Sequence, residues 1–165
     1  MNKLYLCCFL LLSGAAALAQ ETTTPVWNKS NRILLHFTDT TGLFTQLARL
    51  FIDRGYDIYM KDRELGILRT EPRRMSESDF SNDQLAIKTI FRDSTITFSG
   101  ELYSEGYSHV YKYDVVYAKK LFRANLQSWE EMQQIAALLQ PASITYLTIG
   151  NSNGFQRVET YRRMD

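Results

Sequence analysis

Leu85, Ile87, Thr89 and Phe91 alternate with Ala86, Lys88, Ile90 and Arg92, a period of two that commits the middle of the chain to a half-buried strand. Asp93-Ser94 reads as a tight turn, and residues 95–102 return with Ile96 and Phe98 on one face. After a loop around Gly106, Tyr111, Tyr113, Val115 and Tyr117 alternate with Lys112, Asp114 and Val116. The pattern predicts an antiparallel meander with one face in and one face out, so something apolar must cover the inner face.

Two helical stripes can supply that cover. Asp39, Thr40 and Thr41 are candidate N-caps for a helix reaching about Arg54, with Leu43, Phe44, Leu47, Leu50 and Phe51 at helical spacing. Gly55 suits the left-handed position that closes a helix. Residues 56–60 and 65–70 then read as two arms of a hairpin around Lys61-Asp62-Arg63-Glu64, and residues 32–37 form a short strand ahead of the helix. Ser128 and Glu131 have the spacing of a capping box, which starts a second helix there and places Glu130 and Glu131 at its positive end. Met132, Ile135, Ala136 and Leu139 form its inward stripe, and Pro141 ends it. Residues 144–149 and 155–161 flank Asn151-Ser152-Asn153-Gly154, a hairpin turn signal. The expected fold class is α+β: an antiparallel sheet with both helices on one face, in the order β-α-β4/5-α, plus a C-terminal β-hairpin.

Lys3, the apolar run of residues 4–12 and Ala17-Leu18-Ala19 have the make-up of a secretory signal cut after Ala19. That run is shorter than the about 20 apolar residues a membrane span needs. The expected organisation is a signal peptide over 1–19, a flexible leader over 20–31 and a single α+β domain over 32–165. The mature chain is then periplasmic or secreted, with no transmembrane segment. Both cysteines, Cys7 and Cys8, leave with the signal, which removes thiolate nucleophiles, zinc–thiolate sites and iron–sulfur clusters. A chain of this length buries about two-thirds of its surface and needs no disulfide staple. Ala15 stands where a lipid-acceptor cysteine would follow the apolar run. Without Lys3 the basic and acidic residues balance, so no nucleic acid is expected as a partner. The doublets Arg73-Arg74, Lys119-Lys120 and Arg162-Arg163 read as solvated surface charge.

The order of elements resembles the helix-grip, or TATA-binding-protein-like, arrangement. It is similar to a family of small exported bacterial proteins of unknown function, and in element order to the domains of the C lipoprotein of the outer-membrane barrel-assembly machine. The resemblance runs from Arg32 to Leu139 and rests on Asp53-Arg54-Gly55-Tyr56, the 56–70 hairpin with Gly66, and the tryptophan-led last helix. It implies a fold and an envelope role, and brings no catalytic motif. The missing lipid cysteine departs from the lipoprotein relatives, so a membrane tether does not carry over.

No constellation for catalysis stands out. His36 and Asp39 read as a strand residue and a helix cap, and His109 beside Ser108 lacks a nucleophile elbow. No metal-ligand spacing is present. Glu101 and Glu105 lie at a loop edge and lack any sign of desolvation, and the 8 glycines form no phosphate loop. The site prediction is therefore catalytic none, metal none, cofactor none. What remains is a tyrosine cluster, Tyr103, Tyr107, Tyr111, Tyr113 and Tyr117. Most of it fits strand packing, while Tyr103 and Tyr107, in the expected loop, are unexplained by any sheet pattern. Tyr103, Tyr107, Tyr111 and Tyr113 are taken as the ligand- or partner-binding candidates. The leading reading is a non-catalytic binding or scaffold module with an envelope protein partner, for which an exposed edge strand is one docking route. Its alternatives are a carrier enclosing a small apolar or aromatic ligand between the first helix and the sheet, and a hydrolase without a recognisable motif.

Overall fold

A computed structural model describes residues 20–75, 82–105, 110–118, 123–150 and 158–161. Helix α1 spans Leu43–Asp53 and turns Leu43, Leu47, Ala48 and Phe51 into the core. Phe44 and Leu50 pack at its flank. No side chain caps its start: Gly42 holds that position at φ 76°, while Asp39 Oδ1 accepts the Thr41 amide in a turn just ahead. Its end is a Schellman motif. Gly55, at φ 79°, donates its amide to Ile52 O, and Tyr56 N reaches back to Phe51 O. The Phe51 and Tyr56 rings meet at 6.0 Å, the apolar contact that accompanies such an ending.

Helix α2 spans Arg123–Leu138, so it begins earlier than the capping-box spacing predicts. Ser128 is buried inside the helix and does not cap it. The inward stripe runs back through polar residues. Asn125 Oδ1 accepts the Val116 amide, and Ser128 and Trp129 continue the line of Met132, Ile135, Ala136 and Leu139. Glu131, expected beside the helix start, lies mid-helix and takes Arg54 at 3.2 Å and Arg73 at 3.1 Å. Arg73 is accordingly not a solvated charge, since its guanidinium also lies 4.4 Å from the Tyr56 ring centroid.

The described strands form one ten-stranded sheet: β1 Gln20–Thr22, β2 Arg32–His36, β3 Ile58–Asp62, β4 Ile67–Thr70, β5 Arg73–Arg74, β6 Gln84–Arg92, β7 Thr95–Glu105, β8 Val110–Asp114, β9 Ser143–Thr148 and β10 Val158–Tyr161. Every pairing is antiparallel. The main path runs β1-β9-β2-β7-β6-β4-β3. Strand β7 is the spine, with β6 along one edge and the other shared between β2, opposite Thr95 to Phe98, and β8, opposite Glu101 to Glu105. Main-chain bonds close the seam between those two branches: Asn28 N donates to Tyr117 O, and Tyr117 N to Ser30 O.

Both helices rest on the same side of β7. Phe98 meets Phe51 of α1 at 6.4 Å between centroids, and Gly100, two residues on, faces Met132 of α2. Two positions along a strand return to one face, so the fold class is α+β with a one-sided antiparallel sheet. Ile33, Leu35, Leu68, Leu85, Ile87, Ile96 and Phe98 complete the interior from the strands.

Two expectations are overturned here. The stretch expected as a loose leader opens with a sheet strand and ends buried, with residues 23–29 outside any strand. Gln20 to Thr22 pair with Thr148 to Tyr146, and Ser30 and Asn31 are buried. The terminal segments do not form a hairpin with each other either, because β9 already has β2 and β1 on its two edges and β10 pairs with β8. The 151–154 turn signal lies outside the described residues, as do the proposed signal peptide, Lys119-Lys120 and Arg162-Arg163.

Gly100 sets how closely α2 approaches. A Cβ there would come within 2.7 Å of Val115 Cγ2 and 2.9 Å of Met132 Sδ. Gly100→Ala is therefore expected to destabilise the fold by about 1–3 kcal/mol through overpacking. Urea unfolding should show a lower midpoint with an unchanged slope; an unaltered midpoint would mean that α2 is free to lift.

Candidate functional site

The sheet face that the helices leave uncovered holds a preformed charge cluster. Alternation along β7 sends Thr97, Ser99, Glu101 and Tyr103 to that open side, opposite the core residues Ile96, Phe98 and Leu102. Register then brings partners to them. Glu101 faces Ala86 on β6 and Asp114 on β8, Tyr103 faces Lys112, and Ser99 faces Lys88, which in turn faces Arg69 on β4.

Glu101 is the hub. Arg69 Nη2 donates to its Oε2 at 2.7 Å, Tyr103 Oη donates to the same oxygen at 3.1 Å, and Lys112 Nζ reaches Oε1 at 2.9 Å. Its side chain is 21% exposed, so these are partly desolvated, charge-assisted bonds. Two ring contacts extend the network. The Arg69 guanidinium lies 5.4 Å from the Tyr59 centroid, and Lys112 Nζ lies 5.9 Å from that of Tyr103.

Electrostatics fix the protonation states. Burial would raise the Glu101 carboxyl, but the Lys112 hydrogen bond and the charges of Arg69 and Lys112 outweigh it and hold the group below the ordinary glutamate value. Burial and the neighbouring Glu101 charge push the Tyr103 phenol up. Burial works against the Lys112 charge, yet the Glu101 hydrogen bond and attraction raise that ammonium above its usual value. The carboxylate is thus ionised and the other two groups protonated across the physiological range. None is poised near neutrality to exchange a proton.

The structure divides the tyrosine candidates. Tyr103 is a strand residue in β7 and not in a loop, and it belongs to the Glu101 cluster. Tyr111 and Tyr113 stand on the opposite face of β8, paired with Ser104 and Leu102 and stacked on each other at 6.2 Å. Tyr107 lies outside the described residues, as does His109. Tyr117 packs against Trp129 and Trp27, each at 5.7 Å. Glu101, read from sequence as a loop-edge carboxylate, is half-buried and mid-strand. Arg69, Lys88 and Lys112 escaped sequence reasoning; their alternation places each on a face, but only the pairing of β4, β6 and β8 brings them to one spot.

His36 is an open-face strand residue whose Nε2 lies 3.0 Å from Thr145 Oγ1 and 3.4 Å from Glu21 Oε1. Asp39 is taken up by its own turn. The space between α1 and the sheet is filled by Leu47, Phe51, Ile33, Leu35 and Phe98, all fully buried. A groove of about 360 Å³ sits elsewhere, at the start of α1, where Phe44 and Arg63 meet Phe91 and Arg92 at the end of β6. No helix among the described residues is long and apolar enough to cross a membrane. Comparisons with protein-family models, with curated proteins and with solved structures return no match.

The depressed Glu101 value makes stability pH-dependent with a definite sign. The folded protein binds that proton more weakly than the unfolded chain, whose glutamate titrates at about 4.3. The contribution is therefore complete above that value and is lost as pH falls through the lower folded value. Glu101→Gln should lower the unfolding midpoint at neutral pH and flatten its acid dependence. A variant that tracks the parent's acid profile would show that other carboxylates dominate it.

Proposed function

We propose that this protein is a non-catalytic binding module of the bacterial envelope, periplasmic or secreted, that engages a partner protein through the open face of its sheet. The observation that carries this reading is the Glu101 cluster: an ordered polar network, with protonation states locked by mutual pairing, on the sheet face that neither helix among the described residues covers. Locked charges suit recognition. A general acid or base would need a group that can gain and lose a proton near neutral pH.

Around the cluster the face has the make-up of a protein-binding surface. Tyr59 and Met60 are exposed, and Ile67, Ile90 and Leu34 are half-buried beside Arg69 and Arg32. Arginine, tyrosine and methionine are the residues that interfaces favour. Export is supported by the charge, apolar run and small-residue exit of the first nineteen residues. The finer reading of the fold as helix-grip, or TATA-binding-protein-like, is supported by two helices that share one side of an antiparallel sheet.

A photo-crosslinking residue in place of Thr97, on the open face, should give one discrete adduct when the tagged protein is irradiated in the cells that make it. The same residue in place of Gln134, on the exposed side of α2, should give none. The reading fails if both positions yield the same products, or if the protein is recovered from the cytosol with its N-terminus uncut.

A further inference from the structure

Arg69 and Lys88 are direct cross-strand partners in the β4–β6 pairing, two like charges on one face of adjacent strands. Strands lie about 4.8 Å apart, and like charges placed directly opposite destabilise a sheet. Arg69 has an outlet in Glu101, but Lys88 has no carboxylate within ion-pair distance among the described residues. Arg32, two strands beyond Lys88, comes level with Ser99 by the β2–β7 register and adds a third cation to the same row. Its nearest carboxylate is Asp114, at a loose 3.7 Å. Across this band four cations, Arg32, Arg69, Lys88 and Lys112, face three carboxylates: Glu101, Asp114 and, level with Arg32 across Leu147, Glu21, which lies 3.4 Å from His36. Packing explains none of this excess, since the cations stand on the side away from the core.

Resting on the reading of this face as a protein-binding surface, we infer that it recognises an acidic partner segment whose carboxylate seats between Arg69 and Lys88. An anion at that point turns the repulsion into two attractions. Arg69 is already oriented by its bond to Glu101 and its place over Tyr59, and its guanidinium has further donors to offer. Next to the pair, Ile67 and Ile90 face each other one step along the same side, with Met60 level with Arg69; Asp62, opposite Ile67, has Oδ1 taken up by the Leu65 amide. The target is therefore a carboxylate flanked by apolar side chains. A densely anionic polymer such as a sulfated glycan fits less well, because Glu101 and Asp114 stand inside the band and would repel it.

The test uses the exported chain with fluorescent peptides of alternating Glu and Leu, matched peptides of Lys and Leu, and heparin. The Glu–Leu peptide should bind with an affinity that falls as salt rises, and the Lys–Leu peptide should not bind. Lys88→Glu should weaken Glu–Leu binding roughly tenfold or more. Lys61→Glu, an equal change of net charge on the far side of β3, should leave it within about twofold. Because the substitution relieves a like-charge pair, Lys88→Gln should raise the unfolding temperature while still losing affinity, so misfolding cannot imitate the result. Equal binding of both peptides, tighter binding of heparin, or indifference to Lys88→Glu each overturns the inference. If the Thr97 crosslink forms while the Glu–Leu peptide is ignored, the acidic chemistry fails and the protein-binding reading stands. If neither occurs, both fall.

Discussion

Strand β7 constrains everything else in the molecule. Over Thr95 to Glu105 it pairs with β6 along one edge and with β2 and then β8 along the other. Its alternation gives Ile96, Phe98, Gly100 and Leu102 to the interior and Thr97, Ser99, Glu101 and Tyr103 to the open side. A shift of one residue would exchange those sets, placing Glu101 under α2 and Phe98 in solvent. The buried face fixes the register, and the register assembles the charge cluster. Core and site are thus two consequences of one pairing.

The helices are tied together above that strand by Glu131, which accepts from Arg54 at the end of α1 and from Arg73 of β5. Its side chain is 13% exposed, so its two cations serve both to neutralise it and to close the gap between the helices. Arg73 in turn lies across Tyr56, the residue whose amide completes the α1 ending. Ser128 Oγ and Trp129 Nε1 lie buried here with no hydrogen-bond partner among the described residues. That cost sits where the Trp129 ring packs against Tyr117 and Tyr146.

Local rules made much of the fold legible. Gly55 announced the end of α1, and the alternation over residues 85–91 announced β6, because each depends only on neighbours in the chain. The start of α2 was hidden because its inward stripe passes through Asn125 and Ser128, polar residues that break the apolar count. Ser128 and Glu131 have the spacing of a capping box, yet both lie inside the helix. The edges of β9 were equally hidden: nothing local to Asn153-Gly154 says that β1 and β2 already occupy them. Tyr103 reads locally as a loop residue, whereas it is a strand residue of β7. Its partners Arg69, Glu101 and Lys112 come from three strands and share no sequence pattern.

How the sheet treats its edges bears on where a partner binds. Strand β1 occupies the outer side of β9 with three polar residues, and β10 occupies the outer side of β8. At the other end β3 carries a bulge: Ile58 faces Thr70 and Met60 faces Arg69, leaving Tyr59 as the extra residue. A bulge twists an edge and interrupts the row of groups that an incoming strand would pair with. It also turns Tyr59, 58% exposed, to the guanidinium of Arg69. The irregularity that blunts this edge therefore supplies an aromatic surface to the open face. Strand addition along β3 is disfavoured by the same residues that make the face beside it suited to side-chain recognition, and this directs the proposed contact to the Arg69–Lys88 pair rather than to the sheet's rim.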